Sequence, residues 1–250
     1  MSDSRRIWGV HAAETALAQA PEKVRKVWLD RHAMHGRLRP IAARLDALGV
    51  EIVPLERRQL DRLGDARKHQ GVILELDLPP ERDEADLLQA LDAVEGSSLY
   101  LVLDQVQDPH NLGACLRTAD AAGVGGVVLT RDRTVGLTPT VTKVASGAAE
   151  TVPIYRVTNL ARTLDLFKDK GFWVVGAAGE AQLSLYEVDF TVPLVLVMGA
   201  EGTGLRHLTK QRCDYLVRIP MLGSIESLNL SVATGVILYE AIRQRRFCQV

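Results

Sequence analysis

Residues able to do chemistry gather in three loops of this sequence. The first, Asp104-Gln105-Val106-Gln107-Asp108-Pro109-His110-Asn111, is polar and feeds a helical pattern that carries Arg117 six residues beyond Asn111. The second, Gly199-Ala200-Glu201-Gly202-Thr203-Gly204, sets three glycines around one carboxylate. The third runs through PMLGSIESLN from Pro220 and ends on Ser227, Leu228 and Asn229. Amide, guanidinium, carboxylate and hydroxyl groups are suited to orienting a ligand through hydrogen bonds and charge. Each also has a plain structural reading. Asn111 would cap a helix, the glycines would supply positive φ for a turn, Arg117 would lie along a surface, and Ser227 and Asn229 would be turn residues before the last helix.

Other chemistries lack their residues. The GxxGxG spacing of 199–204 is not the GxGxxG dinucleotide pattern, and GxxxxGK[ST], HExxH, GxSxG and CxxC do not occur. His110 follows a proline, with no partner carboxylate and nucleophile at recognisable positions. Cys115, Cys213 and Cys248 are too widely spaced for a short-spaced zinc site and fit no paired disulfide framework.

The elements that must hold these loops alternate in type. Strands are expected at Leu99–Leu103, Gly126–Thr130, Val152–Tyr155, Phe172–Ala177, Leu194–Met198 and Tyr215–Ile219. Helices are expected at Leu112–Ala122, Pro139–Ser146, Leu160–Lys170 and Ser231–Arg246, the pattern of a parallel sheet covered on both faces. All three loops follow strands, where ligands gather in such sheets. The last helix is apolar around most of its circumference through Val232, Ala233, Val236, Ile237, Leu238 and Tyr239, which fits a core helix or one buried against a second subunit. Its Arg243-Gln244-Arg245-Arg246 end is expected to be solvated.

Residues 1–78 form a separate pattern, with strands at Lys26–Asp30, Val50–Pro54 and Gly71–Leu76 and helices at Arg37–Leu48 and about 56–63. Between the two patterns, residues 79–98 open on Pro79-Pro80 and run acidic, and read as a linker with a short helix at about 84–93. A small α/β domain (1–78), a linker (79–98) and a larger α/β domain (99–250) are therefore expected. The 250 residues, 47% hydrophobic and 24% charged with net charge −1, suit a globular protein and supply no global basic field, so any RNA must be gripped locally. Arg57, Arg58, Arg62, Arg67 and Lys68 are a local basic cluster, also explicable as a solvated helix face. No apolar run reaches the ~18 residues of a membrane helix, and no signal-peptide pattern opens the chain, so no membrane and a cytoplasmic location are expected.

Taken jointly and in order, DQVQDPHNLGACLRTADAAGVGG from Asp104, VMGAEGTGLR from Val197 and IPMLGSIESLNLSVATGVILYE from Ile219 resemble the three motifs of the SpoU/TrmH-type RNA 2′-O-ribose methyltransferases of the SPOUT superfamily. The similarity extends over nearly all of 99–246, including KVASGAAE from Lys143. Trp8-Gly9-Val10-His11-Ala12 and His69-Gln70-Gly71-Val72 resemble the substrate-binding domain of the branch that methylates a guanosine ribose in 23S ribosomal RNA. The resemblance implies a SPOUT-type parallel-sheet domain closed by a C-terminal trefoil knot, a small N-terminal α/β RNA-binding domain like that of certain ribosomal proteins, and a homodimer.

It also implies S-adenosylmethionine as methyl donor, without a metal. Gly199, Ile219 and Leu228 would make the main donor contacts, with Met198, Gly204 and Met221 beside them. The implied catalytic set is Arg117, Asn111, Glu201, Ser227 and Asn229. Arg117 would act either as base toward the ribose 2′-hydroxyl, against the weak basicity of a guanidinium, or as a cation that pairs with RNA phosphate and steadies the alkoxide. Asn111 would orient substrate and Arg117, Glu201 would hold Arg117 or the donor loop, and Ser227 with Asn229 would complete a hydrogen-bonded floor. A tRNA ribose methyltransferase and a catalytically silent RNA-binding protein of the same fold are the alternatives.

Overall fold

The computed structural model describes the chain except residues 1–3, 20, 37, 65–68, 78–81, 94, 95, 97 and 248–250. Arg67, Lys68, Pro79, Pro80 and Cys248 therefore lie outside the described residues. The chain divides into two units, residues 1–80 and 81–250.

The first unit contains β1 (Ser4–Trp8), α1 (Val10–Gln19), β2 (Val24–Asp30), α2 (Arg39–Ala47), β3 (Glu51–Leu55), α3 (Arg57–Leu63) and β4 (Val72–Asp77). Its sheet has the order β1-β4-β2-β3, antiparallel except for the β2/β3 pair. One face buries Val27, Leu29, Val72 and Leu74 against Leu17, Ile41 and Leu45, and the other sets Trp28 and Ile73 against Leu60. The β1 and α1 elements were absent from the sequence expectation, yet they carry one of its two motifs. Gly9 N–H donates to Val72 O (3.1 Å), and Val10 N–H to Gln70 Oε1 (2.9 Å). Gly71 N–H donates to Nδ1 of buried His69 (3.0 Å), so Nε2 is the ring N–H that faces Asp61 Oδ1 at 2.9 Å. The Trp8-Gly9-Val10 and His69-Gln70-Gly71 segments thus lock each other at one end of the sheet.

The second unit contains α4 (Glu84–Asp92), β5 (Leu99–Leu103), α5 (Pro109–Ala121), β6 (Gly126–Thr130), α6 (Pro139–Ala145), α7 (Ala148–Thr151), β7 (Ile154–Val157), α8 (Leu160–Asp169), β8 (Trp173–Ala177), β9 (Leu183–Ser184), β10 (Leu194–Met198), α9 (His207–Arg212), β11 (Tyr215–Arg218) and α10 (Leu230–Phe247). Its seven strands, in the order β7-β6-β5-β10-β8-β11-β9, are parallel throughout. Every residue of β5, β6 and β10 is buried, as continuous apolar runs in a doubly covered sheet must be. On one face, Leu112, Cys115 and Leu116 of α5 pack with Val141 of α6 and Ile237 and Leu238 of α10. On the other, Leu160, Leu164 and Phe167 of α8 meet Leu87 and Leu91 of α4, and Tyr100, Phe167 and Phe172 make edge-on ring contacts 5.3–5.6 Å apart. The helix expected inside the connecting stretch, α4, is therefore built into the second unit. Asp83 caps it by accepting from Ala85 N and Asp86 N.

Three local readings need correction. Asn111 does not cap the helix after the first loop: Asp108 does, accepting from His110 N (3.0 Å) with Pro109 at the first helical position, which moves Asn111 inside α5. Strand β7 begins at Ile154 rather than Val152, because α7 occupies 148–151. The Arg243–Arg246 end is not uniformly solvated. Arg245 donates from Nε to Phe190 O and from Nη2 to Val192 O, both 2.7 Å, and Gln244 exchanges hydrogen bonds with Val188 O and Phe190 N. Burial holds the Arg245 guanidinium pKa below its ordinary value.

Candidate active site

Adjacent strands position two of the three loops. In the sheet order, β5 has β6 on one side and β10 on the other, so the chain reverses its direction of travel there, the position at which parallel sheets place ligand sites at the carboxyl ends of their strands. The ladder continues one residue past β5, where Asp104 N–H donates to Met198 O (2.8 Å). The third loop leaves β11 and returns along α10, which lies on α5. A Cβ on Gly235 would make ordinary van der Waals contact with Thr118, at 3.7 Å.

Three residues from the three loops meet. Asn111, 5% exposed in the first turn of α5, donates from Nδ2 to Glu201 Oε1. Asn229 donates from Nδ2 to Asn111 Oδ1 (3.0 Å) and to Glu201 Oε1 (3.2 Å). The other end of the Asn229 amide caps α10: Oδ1 accepts from Ser231 N (2.9 Å), Ser231 Oγ (2.7 Å) and, at 3.4 Å, Val232 N. One side chain therefore fixes the start of the last helix and the register of the other two loops.

The second loop folds back on itself. Gly204 N–H donates to Ala200 O (2.9 Å), with φ of +76° at Gly202 and +65° at Gly204. A Cβ on buried Gly199 would sit 2.1–2.4 Å from the Gly204–Leu205 peptide, so glycine is demanded there by the loop's own backbone. Met198 and Gly199 are buried beneath that fold, while Gly204 is exposed. In the third loop, Ile219, Met221 and Leu228 are half-buried, and Leu222 is 99% exposed.

Arg117 and Ser227 do not join the cluster in this chain. Arg117 is exposed, and six residues of helix place it about 240° around the axis and ~9 Å along from Asn111. Neither Arg117 nor Ser227 has an ion-pair or hydrogen-bond partner among the described residues. Among those residues, too, no group of three or more His, Cys, Asp and Glu could hold a metal ion.

The sequence places Asp104 in the first loop but assigns it no role. Asp104 is fully buried. Its Oδ2 accepts from Thr209 Oγ1 (2.8 Å) and Arg206 Nε (3.1 Å), and Arg206 Nη2 lies 2.8 Å from Oδ1, an ion-pair contact off the hydrogen-bonding direction. Its place directly after a strand was the available signal, but its partners lie 102 and 105 positions away. The loop after β6 is also tied to the first: Val135 N–H donates to Val106 O (2.9 Å), and Gln105 N–H to Thr130 Oγ1 (3.3 Å).

A doubly covered parallel sheet thus carries three carboxyl-end loops that interlock through Asn111, Glu201 and Asn229. The chain belongs to the SpoU rRNA Methylase family, which matches residues 98–239. Residues 6–82 match the domain described as RNA 2′-O ribose methyltransferase substrate binding. The chain is 51% identical over 245 residues to the 23S rRNA (guanosine-2′-O-)-methyltransferase RlmB of Pseudomonas syringae, with 98% of each chain covered. It is 50% identical over 243 residues to that of Haemophilus influenzae, covering 97% of this chain and 98% of the other. Among solved structures, the AdoMet-bound rRNA methyltransferase of Sinorhizobium meliloti matches with a TM-score of 0.75 and 26% identity, over 96% of this chain and 87% of that one. The SpoU methyltransferase AviRb of Streptomyces viridochromogenes in complex with AdoMet matches with a TM-score of 0.75 and 27% identity, over 97% and 90%.

Proposed function

We propose that this protein transfers a methyl group from S-adenosylmethionine to the ribose 2′-hydroxyl of a guanosine in 23S ribosomal RNA. The observation that carries the reading is the joining of Asn111, Glu201 and Asn229 from three distant segments into one hydrogen-bonded cluster beside the 199–204 loop. The near full-length similarity to enzymes named for that reaction supports it.

The donor supplies an activated methyl group through its sulfonium, so the protein's task is chiefly to align two reactants. The residues fit such a donor. Half-buried Ile219, Met221 and Leu228 offer apolar cover for an adenine, and the glycine-rich 199–204 backbone offers main-chain polar groups without side-chain bulk. Asn111, Glu201 and Asn229 hold the loops in register, with Ser227 exposed between Leu228 and the solvent-facing part of its loop. Arg117, exposed and unpartnered in this chain among the described residues, is free to pair with an RNA phosphate and stabilise the developing alkoxide. That role suits a guanidinium better than proton abstraction.

Residues 1–78 recruit the RNA, a role supported by exposed Arg57, Arg58 and Arg62 on α3. The working form is a homodimer, supported by Val232 and Tyr239 of α10, each about half exposed. The C-terminal segment closes a trefoil knot, as the family resemblance implies, and the enzyme works in the cytoplasm, where its substrate is assembled.

Arg117→Ala tests the chemistry. S-adenosylmethionine affinity is expected to stay within about threefold while methyl transfer falls about 10²–10³-fold, the cost of removing one transition-state donor. An unchanged rate constant removes Arg117 from the mechanism.

A further inference from the structure

We infer that Asp104 is a positioning residue for methyl transfer: through Arg206 and Thr209 it sets the shape of the 199–206 loop and so aims Glu201. The inference rests on reading that loop as the donor site. Asp104 is fully buried and is held at both ends. Its main chain continues the β5/β10 ladder through Met198 O, and its carboxylate takes up Thr209 Oγ1 and Arg206. Arg206 directly precedes α9, and Thr209, 2% exposed, lies in that helix's first turn. One carboxylate thus fastens the far end of the loop, at 206–209, to the strand end from which the Asn111 loop departs.

The near end needs no such fastening, since Met198 is in the strand. Between these two anchors the loop has little freedom. The Gly204–Leu205 peptide rests where any side chain on Gly199 would stand, and Ala200 O accepts from Gly204 N. Glu201 is at the apex, where its Oε1 receives both Asn111 and Asn229. A fully buried carboxylate paired with a half-exposed cation adds little net stability but constrains geometry strongly, because any other arrangement leaves the Asp104 charge unpaired out of water. Arg206 is about half exposed, so its side chain can be removed without opening the core.

The test uses the full chain and titrates S-adenosylmethionine into wild type, Arg206→Ala, Arg206→Lys and Asp104→Asn, with kinetics on 23S RNA in parallel. Arg206→Ala is expected to weaken donor binding about tenfold, with the KM for RNA within about twofold and Arg206→Lys recovering part of the loss, a ~1.4 kcal/mol effect. Asp104→Asn is expected to weaken donor binding at least as much, and the double variant no more than the worse single one. Donor binding and kcat equal to wild type in Arg206→Ala overturn the inference, even if Asp104→Asn fails to fold. So does a fall in thermal stability with donor affinity unchanged, which marks a purely structural pair. Failure of the wild-type chain to bind S-adenosylmethionine overturns the donor-site reading instead.

Discussion

Asn229 serves the last helix with one end of its amide and the other two loops with the other, so different replacements separate the two duties. Asn229→Ala removes the capping acceptor of α10, about 1 kcal/mol. It also leaves Asn111 Oδ1, on a side chain only 5% exposed, without its donor, about 1–3 kcal/mol. The sum, about 2–4 kcal/mol, corresponds to a Tm lower by roughly 4–16 °C for a chain of this size. Asn229→Ser keeps a capping oxygen but is too short to reach Asn111, so it recovers only about 1 kcal/mol. Asn229→Asp keeps the cap and turns a second carboxylate oxygen toward Asn111 Oδ1 and Glu201 Oε1. Two facing carboxylates raise the proton affinity of the pair in the folded state, so this variant gains stability as pH falls, the reverse of ordinary acid sensitivity. Scanning calorimetry at pH 8 and pH 5, with methyl-transfer assays alongside, reads all three. The expected order of stability is wild type, Ser, Ala, with transfer impaired in every variant because each loses Nδ2. Equal stability of the Ala and Ser variants, or an Ala variant within about 0.5 kcal/mol of wild type, would refute the dual role.

Two further outcomes follow from the second unit. Arg245→Ala should cost about 2–4 kcal/mol, because the carbonyls of Phe190 and Val192 lose charge-assisted donors, whereas exposed Arg246→Ala should leave the denaturation midpoint unchanged; equal effects would show that the contact with 188–192 is not a clamp. Burial pushes the Cys115 thiol up to about 11 and the Cys213 thiol up to about 12, so at pH 8 both should resist alkylation until the chain unfolds. Above about pH 9 the unfolded thiols ionise while the folded ones resist, so their contribution to stability is lost as pH rises through that window. Rapid labelling of either peptide in the native protein, read by mass spectrometry, would contradict this.

The central strands were legible because a strand buried on both faces is an unbroken apolar run: Leu99–Leu103, Gly126–Thr130 and Leu194–Met198 were read with the bounds they have. Short or polar elements were not. Neither the single-turn α7, nor HLTKQR of α9, nor charged SRRIW of β1 shows a period distinct from loop. Asn111 was misplaced because two capping residues, Asp108 and Asn111, stand three apart, and only the proline after Asp108 decides between them. Site candidates could be picked from loop composition, but which would touch was settled by strand order. Strand order set β10 beside β5 and so brought Glu201 to Asn111, while helix rotation carried Arg117 away. The role of Arg245 was hidden because its partners are backbone carbonyls, which leave no mark in a sequence.

A cleft built from three separated segments is proposed to join a sulfonium donor to a ribose oxygen. Incubating unmodified 23S RNA with the full-length protein and methyl-labelled S-adenosylmethionine, then locating the label by nuclease digestion and mass spectrometry, tests that cleft's chemistry. Label on the 2′-oxygen of a guanosine, lost with Asn111→Ala or Arg117→Ala, is the predicted result. Label on a base, or none on 23S RNA while the protein binds the donor, would contradict it.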